Sequence, residues 1–549
     1  MRVGPVVLLA AGAFTAGVVL ATQPGRDEHK LVVRFIRAWE HDDVVQMYSL
    51  LDTRSRRQTS EPAFAHQLKT AATTATETSL APLRVGHRQG ASIRVLVRVT
   101  TKLWGRLRET LTVPLSGGGS SARVRLAPQL LFPGLRAGER LGRHITLPPR
   151  GTLLAADGQA LATGADRSSP ITDVAIQIVG TLGPIPQDLA SHYAALGYPP
   201  EAKIGLDGLE RIFQGRLAGK PGGQLLAGRR VLAGTQPVQS KPVKTTIVPA
   251  LERAAVASLG GQYAGMSVMN PRTGALEALA GIAFSSVQPP GSTMKIITTT
   301  GALQAGIVNP GTTFPIQTSA TIDGFTMQNA GGEACGGTLV NAFAVSCNSV
   351  FAPLGVRLGG ARLVATAKRF GFDERPSIPG AAQSTIPSAR DIGDDLAVGS
   401  SAIGQGLVQA TPLEMSDVAA TIAMGGRRPI PTLLANRRPR FVRVTPARVA
   451  HQVQQMMVAV VQYGTGTSAQ IPGVEVAGKT GTAELKDTST TNPDNPDAGN
   501  PRNTDAWFVG YAPVGHPKVV VGALFPNQGA GGAAAAPPVR DVIAAALQH

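Results

Sequence analysis

Three short motifs stand in order in the C-terminal half of the chain: Ser292-Thr293-Met294-Lys295, Ser346-Cys347-Asn348 and Lys479-Thr480-Gly481. Each of the patterns S-x-x-K, S-x-N and K-T-G occurs once. Together they hold the parts of a serine acyl-transfer site. A serine hydroxyl is a poor nucleophile until a base takes its proton. Lys295 lies three residues after Ser292, so on a helix the two side chains share a face. A lysine serves as base only when burial or a second cation lowers its pKa, and Lys479 is the candidate second cation. A turn carrying Ser346 and Asn348 can aim both side chains into one cleft, the hydroxyl as a proton relay and the amide as a holder of a peptide bond. On a strand at the cleft rim, Lys479, Thr480 and Thr482 can meet a carboxylate, while Gly481 leaves room for an incoming backbone. The N–H groups of Ser292 and Thr482 are the candidate oxyanion donors. Taken singly, each motif also fits an ordinary role: a helix N-cap with a solvated lysine, a helix with a buried serine, an exposed strand.

Gly473 to Thr480 also satisfies G-x-x-x-x-G-K-[ST], a phosphate-binding loop pattern. Such a loop needs a strand before it and a helix after it. Here Ile471-Pro472 precedes, the pattern itself reads as a strand, and Gly481-Thr482 follows, so the context is wrong. The sequence holds no G-x-S-x-G and no H-E-x-x-H, and its nine His form no ligand cluster. No cofactor and no metal are expected.

The nucleophile needs a helix starting at Ser292, after Pro289-Pro290-Gly291, and running to about Gln304. Met266–Met269 and Ala275–Leu279 read as strands around the turn Asn270–Gly274, and Val474–Glu484, Trp507–Tyr511 and Val519–Phe525 as three more. Asp487–Thr504 is a long loop. Strands at both ends with helices between predict an antiparallel sheet flanked by helices, in a domain spanning 246–549. Residues 27–128 predict a compact α+β domain: a helical face with Leu31, Phe35, Ala38, Val32, Ile36 and Trp39, a break at Asp42-Asp43, a second helix Val44–Leu51, then alternation at Ile93, Val95, Val97 and Val99. Residues 129–245 are rich in Gly and Pro and predict an irregular linking domain, some of whose strands pair with distant segments.

At 549 residues several domains are expected, and 43% hydrophobic with 16% charged residues fits a globular chain. The formal charge of +17 points to an anionic neighbour such as lipid head groups or a wall polymer. Nucleic acid is not expected, because the Arg residues are scattered and three Trp and six Tyr offer few stacking platforms. Val3 to Ala21 carry no charge, long enough to span a bilayer, with Arg2 before them; residues 1–26 are expected to be an uncleaved, single-pass anchor, against a cleaved signal peptide ending at Val19-Leu20-Ala21. Cys335 and Cys347 are either a disulfide or two small buried residues.

These residues resemble the class B penicillin-binding proteins, in the subset with an NTF2-like N-terminal domain. Pro290-Gly291-Ser292-Thr293-Met294-Lys295 is similar to the family's P-G-S-x-x-K, and Lys479-Thr480-Gly481-Thr482-Ala483-Glu484 to its K-T-G-T-A-E. Gly404-Gln405-Gly406 with Thr411-Pro412-Leu413, Arg150-Gly151-Thr152 and Gly205–Glu210 resemble further stretches. Cys347 departs from the Asp found in one version of the second motif, which weakens a class A β-lactamase reading. The resemblance implies a D,D-transpeptidase in the cell membrane, with its catalytic domain outside. Ser292 is then the nucleophile, Lys295 the base, Ser346 and Lys479 the proton relay, and Asn348, Thr480, Gly481 and Thr482 hold the substrate. Partners are peptidoglycan stem peptides, β-lactams and a separate glycosyltransferase; 129–245 is the linker or dimerisation domain. The alternatives are a D,D-carboxypeptidase on the same residues and a non-catalytic β-lactam or muropeptide receptor.

Overall fold

A computed structural model describes residues 25–486 and 500–548. The chain is multidomain and α+β, and it divides into two units. The expected anchor, residues 3–21, lies outside the described residues, as do residues 487–499 of the expected loop Asp487–Thr504. Among the described residues, no helix is long and apolar enough to cross a membrane.

The first unit takes residues up to Pro148 together with Ile185–Ala202 and Lys220–Val238. Helix α1 (Arg26–Glu40) buries Val32, Phe35, Ile36, Ala38 and Trp39, the face its sequence spacing predicts. It ends before Asp43, whose carboxylate accepts the Gln46 N–H and caps α2 (Val44–Ser49). Helix α3 (Glu61–Ala75) follows. Strands β1 (Glu77–Gln89), β2 (Ser92–Thr101), β3 (Arg106–Ser116) and β4 (Arg123–Val124) then form an antiparallel sheet in sequence order. Ile93, Val95, Val97 and Val99 of β2 are fully buried beneath the helices. Strand β1 was not anticipated. It is an edge strand with three register shifts, so Pro82 costs no ladder bond there and the alternation that marks a strand is lost. A second sheet joins β5 (Leu141–Thr146) to β6 (Gly222–Ala227) and β7 (Arg230–Thr235), in the order β7–β6–β5. The Gly- and Pro-rich region 129–245 is therefore shared: 129–148, 185–202 and 220–238 lie in this unit and the remainder in the other.

In the second unit, Arg150 and Arg167 both pair with the buried carboxylate of Glu210, at 2.5 and 2.6 Å. Arg150 and Glu210 come from the stretches Arg150-Gly151-Thr152 and Gly205–Glu210, and Arg167 lies between them in sequence. Removing one partner of such a buried group costs about 3–5 kcal/mol.

Helix α4 (Pro249–Ser258) leads into the main sheet, made of β8 (Gly265–Asn270), β9 (Ala275–Gly281) and three later strands. Between them lie α5 (Lys295–Gln304), β10 (Thr313–Gln317), β11 (Cys335–Thr338), α6 (Leu339–Ala344), α7 (Asn348–Leu358), α8 (Pro412–Ala423) and α9 (Ala447–Gln462). The sheet is completed by β12 (Ala477–Glu484), β13 (Thr504–Ala512) and β14 (Val519–Phe525), and α10 (Ala536–Gln548) closes the chain. The order is β9–β8–β14–β13–β12, antiparallel throughout. Both faces are covered. Phe508, Val521 and Ala523 pack with Leu251 of α4 and Val539, Val542 and Ile543 of α10. Their neighbours Trp507, Val509, Val520 and Leu524 join the core that holds α5, α8 and α9. A strand buried on both sides reads as a continuous apolar run, which is why Val519–Phe525 carries no polar alternation. Strand β12 is the last in the sheet, so no further strand pairs with its outer edge among the described residues.

Candidate active site

Ser292 sits on a 3-10 turn, Gly291–Met294, that runs directly into α5. The expected single helix is thus a tight turn followed by an α-helix. The turn is fixed from two sides. Gly291 donates to the Gly404 carbonyl at 2.9 Å, which brings in the Gly404-Gln405-Gly406 stretch. It also packs on β12, where a Cβ on Gly481 would lie 2.8 Å from the Pro290 carbonyl. Gly481 therefore permits the contact between the nucleophile turn and the rim strand. Ser292 is half-buried and Lys295, one turn further on, is fully buried.

The second motif is a turn between α6 and α7. Ser346 adopts a positive φ of 62°. Its carbonyl accepts from Lys295 Nζ at 2.7 Å, and Lys295 Nζ also reaches Asn348 Oδ1 at 2.7 Å and Ser346 Oγ at 3.4 Å. From the third motif, Lys479 Nζ donates to Ser346 Oγ at 2.8 Å and to the Thr480 carbonyl at 3.2 Å. Phe351 lies 5.5 Å from Lys295 Nζ, and Phe343 the same distance from Lys479 Nζ, so aromatic faces line the remaining space. Burial pushes both amines down: Lys295 well below its usual range, by burial first and the neighbouring Lys479 second, and Lys479 to about 7.

The strand period separates the rest of the third motif. Lys479 and Gly481 face Ser346 and the nucleophile turn, whereas Thr480 and Thr482 share the other side. The Thr480 hydroxyl meets that of Thr465 at 2.5 Å, and the Thr482 hydroxyl accepts the Gly531 N–H at 3.4 Å. Lys479-Thr480 lies inside a strand that continues to Glu484, where a phosphate loop would open a helix, and this removes the phosphate-loop context.

The geometry adds residues that sequence reasoning missed. Asn348 Nδ2 donates to the Gln328 carbonyl at 3.1 Å, and the Ser349 N–H donates to Asn329 Oδ1 at 2.8 Å. Nothing in a sequence flags a backbone carbonyl, and Asn329 sits in a segment without a pattern. Thr465 lies in Gly464-Thr465-Gly466-Thr467, which reads as a plain turn after α9. Cys335 and Cys347 form a disulfide, their Cα atoms 5.8 Å apart, which settles the choice left open by sequence.

A serine one turn from a buried lysine, with a second serine between two lysines beside a helix-covered antiparallel sheet, is the arrangement that a serine–lysine acyl-transfer site requires. The chain belongs to the penicillin-binding protein family: the penicillin binding protein transpeptidase domain model matches residues 264–544, and the penicillin-binding protein dimerisation domain model matches 161–230. Among curated relatives, the peptidoglycan D,D-transpeptidase PbpA of Mycolicibacterium smegmatis is 38% identical over 298 residues, 49% of this chain and 56% of that protein. PbpA of Mycobacterium tuberculosis is 36% identical over 296 residues, 48% of this chain and 56% of that protein. The chain thus spans little more than half the length of these relatives. Among solved structures, PBPA from M. tuberculosis has a TM-score of 0.58 at 27% identity, over 73% of this chain and 99% of that chain. An imipenem acyl-enzyme complex of the same protein has a TM-score of 0.58 at 26% identity, over 73% of this chain and 99% of that chain.

Proposed function

We propose that this protein is a peptidoglycan D,D-transpeptidase that cross-links stem peptides through an acyl-enzyme on Ser292 and is acylated by β-lactams at the same serine. The observation that carries the reading is the convergence of Lys295 and Lys479 on Ser346, with both amines driven toward the neutral form. Neutral Lys295 takes the Ser292 proton as Oγ attacks the carbonyl of the penultimate D-Ala. The N–H groups of Ser292 and Thr482 receive the developing oxyanion. The proton then passes through the Ser346 hydroxyl, with Lys479 alongside, to the departing D-Ala amine. The amine of a second stem peptide attacks the acyl-enzyme, gives up its proton along the same route, and leaves a new peptide bond with Ser292 restored.

The substrate would lie along the open edge of β12, with its backbone beside Gly481, its peptide bond held by Asn348 and its carboxylate at Thr480 and Thr482. Membership of the family and the β-lactam acyl-enzyme of a related chain support this reading. The helices on one face of the β1–β4 sheet support an NTF2-like domain at 27–128, with 129–245 as linker and 246–549 as transpeptidase domain. The uncharged segment 3–21 supports a single-pass anchor with the catalytic domain outside the membrane, and a partner glycosyltransferase would supply the glycan strands.

Intact-mass measurement after penicillin treatment, with peptide mapping, tests the proposal. The expected result is one covalent adduct on the Ser292 peptide, lost in Ser292→Ala. Adduct formation on another residue would overturn it. Release of D-Ala with and without an acceptor amine distinguishes cross-linking from hydrolysis.

A further inference from the structure

Cys347 stands between Ser346 and Asn348, the two residues of the turn that meet Lys295, and is bonded to Cys335 on β11. Neither cysteine takes part in the acyl transfer described above. Cys347 is fully buried and Cys335 is partly exposed.

The turn they hold is a demanding one. Ser346 is in the left-handed region, which a residue with a side chain keeps only where its surroundings enforce it. In that conformation its carbonyl faces Lys295 and its hydroxyl faces Lys479. Both groups belong to one residue, so relaxation of its backbone would turn both away together. Part of the hold on this turn is local, the Ser346 N–H donating to the Phe343 carbonyl at 3.2 Å and the Cys347 N–H to the Ala342 carbonyl at 2.9 Å, and part comes from the segment 313–338. Asn348 and Ser349 bond to Gln328 and Asn329, and Asn329 is itself tied to the carbonyls of Gln317 at 2.8 Å and Glu333 at 2.9 Å. Gln317 of β10 stands opposite Cys335 of β11. The disulfide is the covalent member of this set, one residue from Ser346, and it ties the turn to the same strand pair.

We propose that the Cys335–Cys347 disulfide is a positioning element of the site, holding Ser346 in its left-handed turn, and that its reduction by a dithiol reversibly slows acylation. The proposal rests on the acyl-transfer reading of the site. In the reduction, a thiolate attacks Cys335 Sγ, the more accessible sulfur. The S–S bond breaks, Cys347 leaves as a thiolate and takes a proton. The second thiol of the reductant then resolves the mixed disulfide, so that Cys335 is released as a thiol and the reductant becomes a disulfide. Two electrons and two protons pass to the protein.

The experiment uses the full chain in detergent, oxidised or reduced with dithiothreitol, with a fluorescent penicillin as probe and hydrogen exchange read in parallel. Acylation is expected to slow about tenfold or more on reduction, the scale set by losing a strained conformation. Faster exchange should be confined to residues 313–351, and reoxidation should restore both readings. Cys335→Ala, which removes the bridge from the strand side, should match the reduced protein. A reduced form that acylates within about twofold of the oxidised one overturns the proposal. So does exchange that rises throughout the second unit, which would make the bridge a general stabiliser, or exchange that stays unchanged around Ser346. If the oxidised protein is not acylated at all, the acyl-transfer reading fails, and exchange at 341–351 still decides whether the bridge holds the turn.

Discussion

Lys295 and Lys479 approach the same hydroxyl: Ser346 Oγ lies 3.4 Å from the Nζ of the first and 2.8 Å from the Nζ of the second. Two ammonium groups sharing one partner in a buried site repel each other, so the pair does not hold two protons comfortably near neutral pH. Burial, with that repulsion added, holds Lys295 well below its usual range, as its proposed role as the base for Ser292 requires.

The coupling predicts a pH shift in Lys479→Met. Removing a neighbouring cation favours the protonated form of Lys295 and raises its pKa. The ascending limb of the acylation rate, recorded with a penicillin from pH 5 to 10, should move to higher pH, by about a unit for a close charge pair. A variant with a lower rate but the same limb would show that Lys479 does not act on Lys295.

The same lysine should weaken the fold at neutral pH. Its folded pKa, about 7, is below its ordinary value of 10.5. Between these values the unfolded chain binds more protons, so stability rises with pH across that window and the penalty is greatest below it. A shift of this size corresponds to at most about 5 kcal/mol. Lys479→Met should therefore be stabilised relative to the parent most strongly near pH 6, with the difference shrinking toward pH 10, as measured by denaturant unfolding at each pH.

How much of this was legible beforehand depended on the kind of signal. Ser292, Lys295, Ser346, Asn348 and Lys479 were readable because residue type and spacing carry their chemistry. The central strands were readable from their apolar runs. Strand β1 was not, because an edge strand with bulges and Pro82 needs no alternation. The splitting of 129–245 between two units was not readable either, since β5 finds β6 through tertiary pairing across a long insertion. Gln328 contributes a carbonyl and Thr465 a hydroxyl in a plain turn, and neither leaves a mark in a sequence.

Gly481 is predicted to tolerate no side chain. A Cβ there would meet the Pro290 carbonyl at 2.8 Å, Trp507 Cβ at 2.9 Å and Thr293 Cγ2 at 3.0 Å. These neighbours are backbone or held by packing, so β12 and the nucleophile turn must part. Gly481→Ala should lose about 1–3 kcal/mol of stability, the usual cost of overpacking. Its acylation should fall by more than about tenfold at a temperature where it remains folded, since small displacements of a reacting group are costly. Thermal unfolding and acylation kinetics on the same sample check both.

Thr465 offers the cleanest separation of binding from chemistry. It is solvent-exposed, and its hydroxyl meets that of Thr480 at 2.5 Å and lies 3.5 Å from the Ala344 carbonyl. In Thr465→Val the Thr480 contact is lost, and Thr480, the proposed carboxylate holder, is free to rotate. Loss of one such hydrogen bond is worth about 0.5–1.5 kcal/mol, or roughly twofold to tenfold. The loss should fall on the concentration of penicillin needed for half-maximal acylation, with the limiting rate nearly unchanged, because the Thr465 side chain bonds to Thr480 and the Ala344 carbonyl and to neither Lys479 nor Ser346, and its N–H bond to Ala344 is kept in the variant. Thr465→Ser should restore the parent value. A drop in the limiting rate, with the half-saturating concentration unchanged, would place the Thr465–Thr480 pair in the chemical step instead.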